Sequence, residues 1–349
     1  MYLWLVKNSL HLTDSLPGRF IETGGQTYLW FSGTSYLGMP HQPDFQASFA
    51  ENIYKFGMSW GSSRNNTIRL SVYEEAEIRL AQFFKKEAAL TVSSGMMAGQ
   101  LTQYFLQSQG YEFIYAPKTH PALWHQPNMN LSGDYSLWAS QLTEKINQNL
   151  AQKIAIFSDL IGSPFVEKFD LSWMESLPQH KQIVVVIDAS HGLGIMDLPQ
   201  NSSNHQLLIT SSLNKAMGMA GGLILGENKL INALKTSPIF AGASPMMPAL
   251  LGTFLDYESG FIAQKQQLLT NIAHFQRQLI SSKLAFVDNY PAYCTYQKGI
   301  HEYLTQNGIM TACFAYPKAD DLPVTRLVIS ALHTIQDLDL VATLCNDFE

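Results

Sequence analysis

Between residues 40 and 230 the chain alternates short apolar runs with stretches of helical period, and this alternation restricts the possible fold more than any other feature. The runs are AALTV (88–92), EFIYA (112–116), DYSLW (134–138), KIAIFSD (153–159), QIVVVID (182–188), QLLITSS (206–212) and GGLILG (221–226). Strands covered by helices on both faces read as continuous apolar stretches rather than as strict alternation. Seven such runs separated by helical segments predict an α/β fold on a seven-stranded, mostly parallel, doubly covered sheet. SVYEEAEIRLAQFFKK (71–86) has helical period, with Ala76, Leu80 and Phe83 or Phe84 facing inward.

Past residue 236 the pattern changes. A long helical stretch, roughly 246–283, leads into short strands such as ACFAY (312–316) and TRLVIS (325–330), and then a final helix near 334–347. This predicts an N-terminal segment over 1–40, a large α/β domain over 41–235 and a smaller α+β domain over 236–349. A chain of 349 residues is long enough for that division.

Composition removes several classes of function. Apolar residues make up 46%, which excludes general disorder. A formal charge of −6 with no cluster of lysine and arginine argues against a nucleic-acid binder. Charged residues are only 14%, so less of the surface is charged than usual, for which an oligomer interface is one reason. The three cysteines, Cys294, Cys313 and Cys345, have no metal-ligand spacing and read as reduced thiols of a cytoplasmic protein. The opening MYLWLVKNSLHL has too short an apolar run, and no basic start, to be a signal peptide. No stretch approaches the roughly 18 apolar residues of a membrane span.

Ligands of open α/β sheets bind past the C-terminal ends of the strands. Four strand ends carry residues suited to chemistry. TVSSGMMAG (91–99) leads from a strand into a helix, and Gly95 lets the backbone approach a phosphate at the helix N-terminus; a plain strand-to-helix turn fits the same residues. VVVIDASHGLG (184–194) ends a buried strand at Asp188, with His191 three residues on. A buried carboxylate needs a cationic partner, and a pyridinium N–H is one; an aspartate capping the next turn is the alternative. SSLNKAMGMAGG (211–222) sets Lys215 among small and apolar residues, which favours a Schiff-base lysine over one snorkelling from a loop. YAPKTHPALWH (115–125) places His120 near the end of the next strand, where its ring can stack on a flat cofactor or lie at the surface. Taken together the four describe one site. An aspartate for a ring nitrogen and a lysine for an aldehyde are the pattern for pyridoxal 5'-phosphate (PLP), with Ser212 near the phosphate.

In the order and spacing of its motifs the chain resembles the α-oxoamine synthases, fold-type I PLP enzymes. FSGTSYLGM (31–39) is similar to their N-x-Y-L-G-L entry, WGSSR (60–64) to G-S-x-x-S-R, and SSGMMAG to S-G-F/Y-x-A-N. KTHPAL is similar to x-x-H-A-S-L/I, SDLIGSPF (158–165) to T-D/E-x-x-F-S-M-D, and DASHGLG to D-D/E-A-H-G/S-x-G. SSLNKAMGMAGG, FAGASPMMP (240–248) and TRLVISALHTIQDLD match the lysine motif, the proline loop and the C-terminal arginine motif. The likeness spans roughly residues 25–347. Departures fall at Asn214, where the family has Ser or Gly, at Tyr73, often His, at the missing Met-Asp-Gly after Ser163, and at NNTIRL after Arg64.

The resemblance implies the PLP-dependent transferase fold and a set of roles. Lys215 carries the cofactor and serves as acid and base. Asp188 pairs with the ring nitrogen, His191 with the ring hydroxyl, and His120 stacks on the ring. Ser94, Gly95, Met96 and Ser212 hold the phosphate, and Ser163 lies beside the cofactor. Ser244 reaches the phosphate of the neighbouring subunit, so the implied enzyme is a homodimer with its active site at the interface. Arg326 binds the substrate carboxylate. The implied reaction condenses an amino acid with an acyl thioester, on CoA or acyl carrier protein, with loss of CO₂, as in 8-amino-7-oxononanoate synthesis. An aminotransferase, an aldolase or lyase, and a non-catalytic binding module are the competing readings.

Overall fold

The computed structural model describes residues 11–126, 129, 131–202, 204–280, 283–316 and 321–348. The first ten residues, which bear on the signal-peptide expectation, lie outside them. The chain divides into two compact units. The larger holds Pro43–Gly162 and Lys168–Glu258; the smaller holds Ser163–Glu167, the residues up to Gln42 and those from Ser259 onward.

In the larger unit the apolar runs become a six-stranded sheet. Its order is Ala88–Val92, Gly222–Gly226, Gln206–Ser212, Gln182–Asp188, Lys153–Asp159, Glu112–Tyr115. Four strands pair in parallel, while Gly222–Gly226 runs antiparallel to both its neighbours. The Asp188 strand is buried from Ile183 to Asp188, which explains its unbroken apolar sequence. The helix Gly95–Ser108 covers one face, with Leu101 and Phe105 packed among Leu90, Phe157 and Val186. Burial of each such side chain contributes about 1.5–3 kcal/mol.

One expected strand is a helix. DYSLW opens the helix Tyr135–Gln148, so among the described residues the sheet has six strands rather than seven. Asp134 is the reason: its Oδ1 accepts the Leu137 N–H at 2.7 Å, an N-cap that outweighs the strand propensity of the aromatic residues after it. The expected helix over 71–86 forms as Ser71–Phe83, and the long C-terminal stretch is two helices, Pro248–Asp256 and Glu258–Gln278.

The units divide the chain differently from the expected boundaries at 40 and 235. Asn52 donates to Asp256 Oδ2 at 2.7 Å and the Tyr73 hydroxyl to the Met246 carbonyl at 2.7 Å, tying residues 238–256 into the larger unit. In the smaller unit, Gln26–Trp30 pairs antiparallel with Phe20–Thr23 and parallel with Ile309–Met310. A four-stranded antiparallel sheet runs Ala285–Phe286, Ala292–Thr295, Val324–Val328, Ala312–Phe314. The last helix, Ile335–Asp347, starts with a capping box between Thr334 and Asp337, and Arg19 clamps Asp337 through Nε at 2.7 Å and Nη2 at 2.8 Å.

Candidate active site

The parallel strands of the larger unit all point their C-terminal ends to one edge, and the chemistry-bearing residues gather there. Asp159 and Asp188 close neighbouring parallel strands as direct Cα partners, and Asp188 is in turn the partner of Thr210. Residues paired in this way project to the same face of a sheet. Both carboxylates are buried, at 5% and 6% exposure, so neither can rely on water. Asp188 Oδ1 accepts the Ser190 N–H at 2.7 Å, and Asp159 Oδ2 accepts the His120 N–H at 2.8 Å. The Thr210 hydroxyl is buried without a hydrogen-bond partner among the described residues.

The charges are coupled. Burial, then the negative charge of Asp188, pushes the Asp159 carboxyl well above its ordinary range, against the His120 N–H and the Lys215 ammonium. Of the two, Asp159 is the carboxyl whose protonated form burial and its charged neighbour favour. His120 is held below its ordinary value, first by burial and then by Lys215, with Asp188 opposing. Its Nδ1 accepts the Ala122 N–H at 3.2 Å, which leaves the proton of the neutral ring on Nε2. Lys215 is the cation that acts on both Asp159 and His120.

Lys215 is half-buried in the loop joining the antiparallel strands Gln206–Ser212 and Gly222–Gly226. The Gly218 N–H donates to the Lys215 carbonyl at 3.2 Å, and the Leu213 N–H to Gly221 at 3.0 Å. Gly218 takes φ +63°, a conformation a β-carbon would strain. This is the local reason for glycine after the lysine.

Ser94 caps the helix Gly95–Ser108, its Oγ accepting the Met97 N–H at 3.1 Å. The N–H groups of Gly95 and Met96 remain without intrahelical acceptors, the arrangement that binds anions at a helix N-terminus. Ser212 lies against this turn. A β-carbon on Gly95 would come within 2.7 Å of Ser212 Cβ, and one on Gly222 within 2.0 Å of the Ser94 carbonyl oxygen. Both glycines are thus needed for the close approach of the three segments. Ser212 is linked to the acid pair through Ser190, whose Oγ accepts the Ser212 N–H at 2.9 Å.

The larger unit therefore brings together His120, Asp188, Lys215, Ser94, Gly95, Met96 and Ser212. His191 is half-buried in the turn after Asp188, and Ser244 is exposed in the segment between the helices Pro238–Gly242 and Pro248–Asp256. Ser163, joined to Pro164 by a cis peptide bond, and Arg326 belong to the smaller unit. Sequence reasoning passed over Asp159 and Ser190. The signal for Asp159 was present, since KIAIFSD and QIVVVID are parallel strands that end in aspartate at the same register. Ser190 carried no signal, because its role rests on a contact to a strand 22 residues away.

These residues fit PLP. Asp188, buried at the end of its strand, is a carboxylate that can receive an N–H donor such as a pyridinium. A helix N-terminus packed on a serine suits a phosphate, and Lys215 lies within electrostatic reach of the acids.

Known proteins resemble this chain over most of its length. The family model for aminotransferases of class I and II matches residues 27–343. The chain is 25% identical to the 8-amino-7-oxononanoate synthase of Petrotoga mobilis over 360 residues, covering 95% of this chain and 91% of that one. It is likewise 25% identical to the synthase of Herminiimonas arsenicoxydans over 348 residues, covering 91% and 89%. Among solved structures, serine palmitoyltransferase from Sphingomonas wittichii superposes with a TM-score of 0.79 at 14% identity, over 96% of this chain and 91% of the other. A serine palmitoyltransferase variant from S. paucimobilis with bound PLP-myriocin aldimine gives 0.80 at 15%, over 97% and 91%. The 8-amino-7-oxononanoate synthase of Francisella tularensis gives 0.70 at 16%, over 91% and 97%. The fold is that of these transferases, and with nine-tenths of its length under the family model the chain belongs to the class I and II aminotransferase family.

Proposed function

We propose that this chain is a PLP-dependent acyltransferase of the α-oxoamine synthase type, condensing an amino acid with an acyl thioester and releasing CO₂ to give an α-amino ketone. The observation that carries the reading is the buried pair Asp159–Asp188 beside Lys215, at the same sheet edge as the helix N-terminus at Gly95. The similarity to 8-amino-7-oxononanoate synthases across nine-tenths of the chain supports the acyl-transfer chemistry over other PLP reactions.

PLP, when bound, supplies an electron sink for negative charge at the substrate α-carbon. Asp188 keeps a proton on the ring nitrogen, with Asp159, whose protonated form is favoured, as its neighbour on the next strand. His120, neutral through burial, packs on the ring face, and His191 serves the ring hydroxyl. Ser94, Gly95, Met96 and Ser212 hold the phosphate, with Ser163 beside the cofactor. Lys215 is the covalent anchor, and its Nζ takes and returns the proton at the substrate α-carbon. Arg326, buried and without a carboxylate partner among the described residues, binds the carboxylate of the amino acid. Ser244, exposed in one protomer, reaches the phosphate of its partner in a homodimer. The cytoplasm is the proposed location, and among the described residues no helix is long and apolar enough to cross a membrane.

The test is incubation of the PLP-loaded protein with glycine, L-alanine or L-serine and an acyl-CoA series including pimeloyl-CoA. The reading predicts thiol release and CO₂ release in equal amounts, dependent on both substrates. Amino-group transfer to a keto acid with no need for a thioester would replace it with an aminotransferase.

A further inference from the structure

Arg326 is 7% exposed on the strand Val324–Val328, and the groups that face its charge are Tyr36, Tyr290 and Cys294 rather than any described carboxylate. Its Nη2 donates to the Tyr36 hydroxyl at 2.9 Å. Nε is buried with no hydrogen-bond partner among the described residues. A guanidinium in such surroundings is costly until an anion completes it. A phenol oxygen satisfies one N–H and leaves the charge.

Tyr36 is itself fixed. It is wholly buried, its carbonyl accepts the Ala331 N–H at 2.9 Å, and its hydroxyl lies 3.2 Å from that of the buried Tyr290. Two residues on, Gly38 at φ +62° lies so close to Leu332 that a β-carbon would come within 2.5 Å of Leu332 Cγ. The Val328 N–H donates to the Phe31 carbonyl at 2.9 Å, so both ends of the 31–38 segment are bound to the strand of Arg326 or to the residues that follow it. The SYLGM segment is thus a rigid brace with a hydroxyl at the guanidinium.

The geometry points to Tyr36 as a positioning residue for substrate recognition: it fixes the Arg326 guanidinium with the Nε side uncommitted, ready to meet the carboxylate of an amino acid, and Tyr290 holds the Tyr36 hydroxyl in place. This rests on the assignment of Arg326 to the substrate carboxylate. An arginine side chain has several rotatable bonds, and a brace removes in advance the ordering cost that binding otherwise incurs. The consequence is selectivity for α-amino acids over amines of the same side chain.

The test compares equilibrium binding of two ligand sets to the PLP-loaded protein, followed by the shift of the cofactor's visible band. One set is glycine, L-alanine and L-serine; the other is methylamine, ethylamine and ethanolamine, which lack the carboxylate. For Tyr36→Phe the expected result is about tenfold weaker amino-acid binding, the range for a hydrogen bond to a charged group, with amine binding unchanged. Arg326→Ala should show a larger loss with the same selectivity. Equal weakening of both sets by Tyr36→Phe would mean a merely structural role and overturn the proposal. So would no change in Tyr36→Phe while Arg326→Ala loses amino acids selectively. If Arg326→Ala binds amino acids normally, the assignment of Arg326 fails and the proposal with it. Should Tyr36→Phe not fold, Tyr290→Phe takes its place; a smaller selective loss supports the brace, and none overturns it.

Discussion

Asp159 and Asp188 stand side by side as Cα partners at the ends of parallel strands, both buried, with His120 hydrogen-bonded to the first and Ser190 to the second. Two buried carboxylates in that relationship do not both ionise cheaply, and the raised Asp159 assigns them different work. On the proposed roles, Asp188→Asn removes the ring-nitrogen partner and is expected to lower kcat/KM at least about a hundredfold, roughly the loss of one electrostatic contact in a buried site. Asp159→Asn keeps an acceptor for the His120 N–H and replaces a carboxyl whose neutral form is favoured, so its loss is expected to be within about tenfold. Steady-state kinetics of the two variants checks the order; a larger effect from Asp159→Asn would reverse the assignment. The sign of the pH effect follows as well. A carboxyl whose folded pKa is raised binds more protons folded than unfolded, so its contribution to apo-protein stability falls as pH rises from its ordinary value of 3.8 through the folded value. Asp159→Asn should remove that fall from urea-unfolding midpoints measured across the acid range.

Ser190 joins Asp188, the proposed ring partner, to Ser212, the proposed phosphate contact, donating its N–H to the first and accepting the N–H of the second. Ser190→Ala keeps the first contact and deletes the second. Loss of one such hydrogen bond predicts a PLP dissociation constant raised about 2- to 10-fold. Fluorescence titration of the apo-protein measures it, and an unchanged constant would remove Ser190 from the account.

Glu77 is buried between Arg64, at 2.6 Å, and Lys235, at 3.2 Å, and also accepts the Thr91 N–H at 2.8 Å. Burial alone would raise its pKa; the charge and hydrogen bond of Arg64, then Lys235 and Thr91, bring it below the ordinary value. Glu77→Gln leaves Arg64 buried with an uncompensated charge, expected to cost about 3–5 kcal/mol at neutral pH. With a depressed folded pKa, the stabilisation is complete above the ordinary value of 4.5 and is lost as pH falls through the folded value. Unfolding midpoints of the wild type and variant should therefore converge in acid; a constant gap would contradict the ion-pair origin.

His333 stacks on Phe31 with ring centroids 3.9 Å apart, its Nδ1 accepting the Ser330 N–H and its Nε2 donating to the Trp30 carbonyl. Burial, opposed by that carbonyl and Asp337, lowers its pKa from 6.5 to about 4. The unfolded chain then binds the proton first as pH falls, so stability drops between about 6.5 and about 4 and levels off below. The loss from this residue is about 3 kcal/mol at most. His333→Asn should flatten the curve over that window, and an imidazole NMR titration giving an ordinary value for His333 would contradict the prediction.

Much of this was legible in the sequence. Six of the seven apolar runs are strands of one sheet, because burial on both faces leaves an unmistakable pattern, whereas DYSLW misled because a single aspartate cap decided its structure. Most of the residues gathered at the sheet edge could be named because they end a strand or open a helix, and Lys215 because it stands among small and apolar residues in the loop after one. Asp159 and Ser190 were missed for a different reason: their importance comes from pairing across strands, which sequence order does not display. The brace from Tyr36 to Arg326 spans 290 residues and is visible only in the fold.

The most direct test of the central claim is to reduce the PLP-loaded protein with sodium borohydride and map the modified peptide by mass spectrometry. The account predicts one phosphopyridoxyl group per chain, on Lys215, and none in Lys215→Ala. Modification at another lysine, or PLP that binds yet leaves no adduct after reduction, would contradict it.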